Sequence, residues 1–374
     1  MRHEAQVTSD ESRVTKRVMS IDALRGFDMF WITGGGAVFA SLDKIFNCPA
    51  TKFINKQLQH AVWEGFTFED IIMPLFLFIC GVAMPYSFTK RIEHGDSKLK
   101  LYRHVIIRVL ILWVLGMIKQ GNLLQFDLST LRLYSNTLQA IAAGYLIATI
   151  LLIEFKLLWQ IVLTAGLLIG YWLLMTFINV PGHGAGVLTE QGNLAIYLDK
   201  LILGRFEDGT SYSWILSSLG FGATTMIGVF AGKWLRSNRK DLTKAVVLLA
   251  AGGVSIVLGL LWSPVFPIIK HIWTSSFVLY SGGFCLLLMG LFYLIIDVWQ
   301  FRKWTYVFVV IGANAIFAYM SNTFIPFGWI SGCFVGGLVK HLGNWDTLVH
   351  TTATFAVFWL LLRYMYRKKT FIKI

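Results

Sequence analysis

The chain has 374 residues, with 33 lysines and arginines against 20 aspartates and glutamates, giving a formal net charge of +13. It is 56% hydrophobic and only 14% charged, with a mean hydropathy of +0.64. These values exclude an ordinary soluble domain and point to an integral membrane protein. The positive balance then reads as basic loops beside a lipid bilayer, not as a nucleic-acid surface.

In chain order, residues 1–19 are polar and charged, with no apolar signal-peptide core, and read as a cytoplasmic tail. Apolar stretches of membrane-spanning length predict an all-α fold of about ten transmembrane helices, over 20–42, 67–89, 104–119, 135–154, 157–178, 213–233, 245–262, 273–297, 304–322 and 347–363. A glycine-rich apolar piece near 330–342 is too short for a span and reads as re-entrant or interfacial. About two thirds of the 33 lysines and arginines fall on the side of the N-terminus in this scheme. Both termini are therefore expected in the cytoplasm. Residues 20–366 read as one transmembrane domain and 367–374 as a basic cytoplasmic tail. Two outer loops are long, 43–66 and 179–212, and the second holds an amphipathic stretch near Leu194–Leu203.

Ser20-Ile21-Asp22-Ala23-Leu24-Arg25-Gly26 opens the first span at its inner end. Asp22 and Arg25 are spaced to pair on one helix face, and Asp28 lies about 12 Å deeper than residue 20. Three charges in half a span imply either an ion-pair network between helices or a site for a phosphorylated ligand. Gly34-Gly35-Gly36 follows in the outer half, where close helix packing is the simplest reading. It is not a phosphate loop, because no lysine follows it.

The densest chemistry lies at the mouth of the second span. His60 precedes Trp63-Glu64-Gly65, and Glu69-Asp70 opens the helix. Ionisable groups at a bilayer rim are functional candidates. A histidine and a carboxylate ten residues apart suit a base and the group that orients it. Trp63 reads as a shaped-loop residue or an interfacial anchor, and Glu69 as a neighbour pointing elsewhere or a solvated acid. Further along, Asn136 and Gln139 sit at the outer start of span four. Trp273 begins span eight as a sugar platform or a belt residue, and Asn314 lies inside span nine, lining a ligand path or tying helices. His183, Asp199, Lys270, His271 and His341 also fall on the outer face, and each alone reads as solvated. Cys48, Cys80, Cys285 and Cys333 show no metal spacing. With no HExxH, CxxC, GxSxG or Walker pattern, no metal is expected.

Taken together, Ser20–Gly26, His60-Ala-Val-Trp-Glu-Gly65 and Asp70-Ile-Ile-Met-Pro74 resemble the transmembrane acyltransferases related to lysosomal heparan-α-glucosaminide N-acetyltransferase. Leu138-Gln139, Val180-Pro181-Gly182, Tyr197-Leu198-Asp199, Trp273-Thr-Ser-Ser276, Asn314-Ala-Ile316 and the basic C-terminal end continue the likeness. It is nearest to the shorter bacterial, NagX-type members. The resemblance implies transfer of an acetyl group from cytosolic acetyl-CoA to the amine of a glucosamine-like sugar across a bacterial inner membrane. It also implies His60 and Asp70 as the catalytic pair, and a homodimer. Arg25, and after it Arg108 and Arg236, are expected to hold the coenzyme A nucleotide, with the pantetheine arm passing Gly34, Gly35 and Asn314. Trp63, Glu69, Gln139 and Trp273 are expected on the sugar side. The chain departs from the family at the asparagine before the glycine run, where it has Ile32, or Thr33 with a one-residue slip. Two other readings share some features: a transporter for a sugar or small anion, and an O-acyltransferase acting on a cell-wall glycan.

Overall fold

The computed structural model describes residues 18–372, apart from the side chain of Lys90. The N-terminal tail that contributes Arg2, Arg13, Lys16 and Arg17 to the charge count lies outside the described residues, as does Lys373. Among the described residues the fold is helical, with one hairpin of two-residue strands, β1 (Asn179–Val180) against β2 (Gly184–Ala185).

The first expected span is interrupted. Helix α1 (Met19–Phe30) runs into a π-helical turn over Trp31–Gly35, then into α2 (Gly36–Ala40) and α3 (Leu42–Phe46). The interruption is Gly34, whose φ of +151° no side-chain-bearing residue adopts readily. A Cβ there would also meet the Phe355 ring at 3.2 Å. The expected loop 43–66 contains α4 (Pro49–Gln57), started by a proline at its first turn.

Long helices follow: α5 (Glu69–Glu93), α6 (Lys98–Lys119), α7 (Thr137–Glu154), α8 (Leu157–Phe177), then the short α9 (Leu194–Leu203) and α10 (Ser218–Arg236). After these come α11 (Asp241–Trp262), α12 (Ser275–Tyr293, prolonged by a π-helical turn to Val298), α13 (Tyr306–Gly312), α14 (Ala315–Phe324), α15 (Phe327–Val339) and α16 (Asp346–Arg367). The amphipathic stretch expected near Leu194–Leu203 is α9.

Seven described helices are long and apolar enough to cross a membrane, or eight if α13 and α14, bent by 62°, count as one broken span. The chain is thus a multi-pass membrane protein. The expected ten differ from this for two reasons. The first is the break in α1. The second is α10, which carries many glycines and threonines and is buried along most of its length. A helix surrounded by protein has no need of a lipid-facing apolar surface. The piece expected near 330–342 is α15, a thirteen-residue helix packed on α16.

Backbones touch where side chains vanish. A Cβ on Gly26 would fall 1.7 Å from the Phe308 carbonyl oxygen, fixing α1 against α13, and one on Gly228 would fall 2.0 Å from the Phe78 carbonyl oxygen, fixing α10 against α5. A central apolar cluster including Leu24, Leu75, Phe78, Leu248, Met289 and Phe292 joins α1, α5, α11 and α12. That core holds the start of α5 still, and the candidate site sits there.

Candidate active site

Local capping explains why residues 58–70 fold as they do. Thr67 stands at the entry to α5, and Asp70, three residues on, reaches back: its Oδ2 accepts from the Thr67 backbone N–H at 3.0 Å. The same oxygen accepts from the Ala61 N–H at 3.3 Å. The Thr67 hydroxyl proton is shared between Asp70 Oδ2 (3.1 Å) and the Gln59 carbonyl (2.7 Å). One fully buried carboxylate therefore ties both ends of the 61–67 loop to a helix N-terminus, where the dipole favours negative charge. Its other oxygen faces the imidazole, with His60 Nδ1 3.0 Å from Asp70 Oδ1.

A second loop completes the group. Gly65 N–H donates to the Ile268 carbonyl at 3.0 Å, and Glu64 pairs with Ile269 in an antiparallel bridge. That pairing brings Lys270 to the site. Its Nζ lies 3.0 Å from His60 Nδ1, 3.3 Å from Asp70 Oδ1 and 3.5 Å from the Glu69 carbonyl. The loop is pinned from below. The Tyr171 hydroxyl and the Ser217 hydroxyl (3.1 Å) both donate to the Ile272 carbonyl. The Trp273 indole is buried against Phe221 and Phe277 and donates to Thr224 Oγ1 at 3.2 Å.

Nδ1 of His60 carries either a proton or a lone pair, so it donates to Asp70 or accepts from Lys270, not both. With the proton on Nδ1 directed at Asp70, Nε2 presents its lone pair on a side chain that is 45% exposed, while the Asp70 side chain is 0% and that of Lys270 6% exposed. A buried ion pair thus backs an accessible base. Burial holds Lys270 below the ordinary lysine value, and Asp70 and Glu69 oppose that fall. His271 is likewise held below its ordinary value, first by burial and then by the charges of Lys270 and His60. Its ring lies 5.2 Å from that of Trp63 and 4.4 Å from that of Tyr212. Burial, with Asp70 and Glu69 nearby, pushes the Tyr212 hydroxyl up to about 12. Trp63 Nε1 donates to the Leu188 carbonyl at 2.9 Å, which ties this face to the 179–212 loop.

The structure places the other expected residues as follows. Glu69 adjoins the pair at the head of α5. Trp273 is 2% exposed and serves as the anchor of the Lys270 loop, offering no open face for a sugar. Gln139 is buried in the cap of α7, where Oε1 accepts from Ser135 and Asn136 N–H groups and Nε2 donates to Leu133. Asn314 sits at the elbow between α13 and α14. Its amide bonds the Thr370 carbonyl (3.1 Å) and the Ile372 N–H (2.9 Å), so residues 370–372 of the expected tail fold back onto the bundle. Gly34 forms the break in α1, and Gly35 lies under the Phe30 ring.

Arg25 pairs with Asp22 at 3.4 Å. Arg108 lies over the Tyr145 ring, 4.4 Å from its centroid. Arg236 donates to the Pro85 carbonyl (2.7 Å) and to Thr89 beside a cavity of about 390 Å³ that Lys98 and Lys233 also line, at the end of α5 away from Asp70. Spacing in the sequence unites His60 and Asp70, whereas Lys270 and His271 read singly there and Tyr212 carries no signal. The available signal was the Lys270-His271 pair just ahead of Trp273-Thr-Ser-Ser276.

Two curated proteins are similar in sequence to this chain over most of its length. Heparan-alpha-glucosaminide N-acetyltransferase of Mus musculus is 27% identical over 378 residues, covering 84% of this chain and 56% of that protein. Heparan-alpha-glucosaminide N-acetyltransferase of Homo sapiens is 24% identical over 435 residues, covering 97% of this chain and 61% of that protein. The chain thus spans less than two thirds of the length of these relatives. No family model matches it.

Proposed function

We propose that this protein transfers an acetyl group from acetyl-CoA to the amine of a glucosamine-like sugar, with the sugar bound at the His60 face and the coenzyme entering from the opposite, cytoplasmic face of an inner membrane. The observation that carries the reading is the His60–Asp70–Lys270 group, in which an accessible imidazole rests on a buried carboxylate. The names of the two relatives supply the reaction class. Trp63 and Tyr212, packed on either side of His271, are the rings we assign to contact with the sugar.

In this scheme Asp70 holds the Nδ1 proton and fixes the tautomer. Nε2 then removes a proton from the attacking amine as nitrogen bonds to the thioester carbonyl carbon, the carbon–sulfur bond breaks, and the thiolate leaves to be protonated. The same nitrogen serves if the acetyl group rests on Nε2 before the sugar takes it. Lys270 supplies the cation that pairs with the buried Asp70 carboxylate. At the opposite face, Arg25 and the basic edge of the Arg236 cavity supply forked and point cations suited to phosphate.

His60→Ala is expected to reduce acetylation of glucosamine by about 10²- to 10⁴-fold while the protein stays folded, checked by mass spectrometry of products and by thermal unfolding in detergent. Full activity in that variant sinks the assignment. Uptake of labelled sugar into proteoliposomes without acetyl-CoA, with no acetylated product, would favour a transporter instead.

A further inference from the structure

The charges around His60 do not sum to zero. Asp70 and Lys270 form an ion pair, with Nζ 3.3 Å from Oδ1, and cancel. His60 is neutral in the form that acts as a base. His271 is held below its ordinary value by burial and by the charges of Lys270 and His60. Glu69 remains. Among the described residues no hydrogen bond or ion pair reaches its carboxyl group; its backbone carbonyl is what Lys270 Nζ approaches, at 3.5 Å. The side chain is half-buried, unlike those of Glu64 and Glu190, which are exposed. His60 and Lys270 lie within electrostatic range of the Glu69 carboxyl, as does Asp70 on the same helix. Tyr212, one of the two rings assigned to the sugar, lies within the same range. Asp28 on α1, also within range, brings no cation.

An acid in the first turn of a helix usually serves the N-terminal dipole or a cap. At α5 that task belongs to Asp70, whose Oδ2 takes the Thr67 and Ala61 N–H groups. A merely solvated acid would stand clear of the protein, and a structural one would hold a partner. Glu69 does neither. It leaves one uncompensated negative charge beside an accessible base. A protonated primary amine matches that charge, since an ammonium brings three donors and a full positive charge. A sugar hydroxyl in the same place makes a neutral hydrogen bond, roughly half as strong as a charge-assisted one.

We propose that Glu69 binds the ammonium group of the acceptor and is the residue by which the site selects an amino sugar over a sugar bearing only hydroxyls. The assignment rests on the acetyl-transfer reading above and adds the step before attack. An ammonium carries one proton too many to attack a carbonyl carbon. Docked on Glu69, it loses that proton to water at the exposed mouth and gains a lone pair. Nitrogen then bonds to the thioester carbon while His60 Nε2 takes a second proton, the carbon–sulfur bond breaks, and the thiolate receives the proton from His60. Ammonium and thioester thus become amide, thiol and one released proton.

The test uses the purified full chain in detergent and calorimetric titration with glucosamine, with glucose, which has a hydroxyl in place of the amine, and with acetyl-CoA. At about pH 7, where most of an amine of this class is protonated, Glu69→Gln is expected to weaken glucosamine binding at least about tenfold and to leave glucose and acetyl-CoA within about twofold. In initial-rate assays KM for glucosamine should rise by a similar factor while kcat changes less. Glu69→Asp, which keeps the charge, should recover part of the preference. The wild type supplies a reading that needs no variant: its preference for glucosamine over glucose should shrink at about pH 9, where the amine is neutral. Glucosamine bound as tightly by Glu69→Gln as by wild type overturns the assignment, as does equal loss of both sugars. A wild-type preference unchanged between the two pH values also overturns it, and is the result to read if the glutamine protein does not fold. Wild-type protein that forms no acetylated glucosamine overturns the proposed function instead, and the titrations with the two sugars still decide on Glu69.

Discussion

Asp70 performs two tasks with two oxygens: Oδ2 closes the 61–67 loop and Oδ1 faces His60. Asp70→Asn therefore puts an N–H where one task or the other needs an acceptor. The expected result is a fall in kcat of about 10²- to 10⁴-fold, together with a loss of about 1–2 kcal/mol from the helix cap, read from initial rates and from denaturant or thermal unfolding. Lys270→Met leaves the buried carboxylate without its cation and should destabilise the fold by about 3–5 kcal/mol; a variant as stable as wild type would show that the ammonium does not pair with Asp70. His60 and Asp70 were legible in the sequence because ten residues and one helix start connect them. Lys270 was not, because it lies 210 positions from His60 and reaches it through a backbone pairing that no local pattern encodes. Trp273 misled for the opposite reason: an aromatic at a helix start looks the same whether it faces solvent or plugs the core.

Helices show the same division. Long uninterrupted apolar stretches such as Asp241–Trp262 were read close to their limits, since lipid-facing surface enforces composition. The broken elements were not. Nothing in Gly34-Gly35-Gly36 says which glycine carries the break, and the elbow at Asn314 depends on residues 370–372 arriving from the far end of the chain. Gly34→Ala should destabilise the protein by about 1–3 kcal/mol through its backbone conformation alone, with the Phe355 contact adding to this. A wild-type melting temperature in that variant would mean the break lies elsewhere. Helix α10 was recognisable as a helix but not as an enclosed one, because Gly228 and Gly232 reveal their purpose only against the Phe78 and Val82 carbonyls on α5.

At the scale of the whole molecule, the His60 face is a layer of three loops fastened to the bundle. Asp199 on α9 is one fastener: it is 1% exposed and accepts from the backbone N–H groups of Trp214 (2.6 Å) and Ile215 (3.0 Å). Burial, with Asp208 and Glu207 adding to it, raises its carboxyl to about 7. Between the ordinary aspartate value and about 7, the unfolded chain has released a proton that the folded chain still holds. This contribution to stability is therefore complete below the ordinary value and is lost as pH rises to about 7. Thermal midpoints of wild type and Asp199→Asn, compared across that window, should show a flatter profile for the asparagine protein; identical slopes would remove Asp199 as the source.

The Glu64–Ile269 bridge has a consequence for which changes the chain can tolerate. Alternate residues of a paired segment point to opposite sides. Inserting or deleting one residue between Pro264 and Ile269 would thus rotate Lys270 away and present a neighbour to the imidazole. Many substitutions in that stretch should pass unnoticed, whereas a change of a single position in its length should silence the protein. Spacing, more than chemical identity, is what natural variation must preserve there.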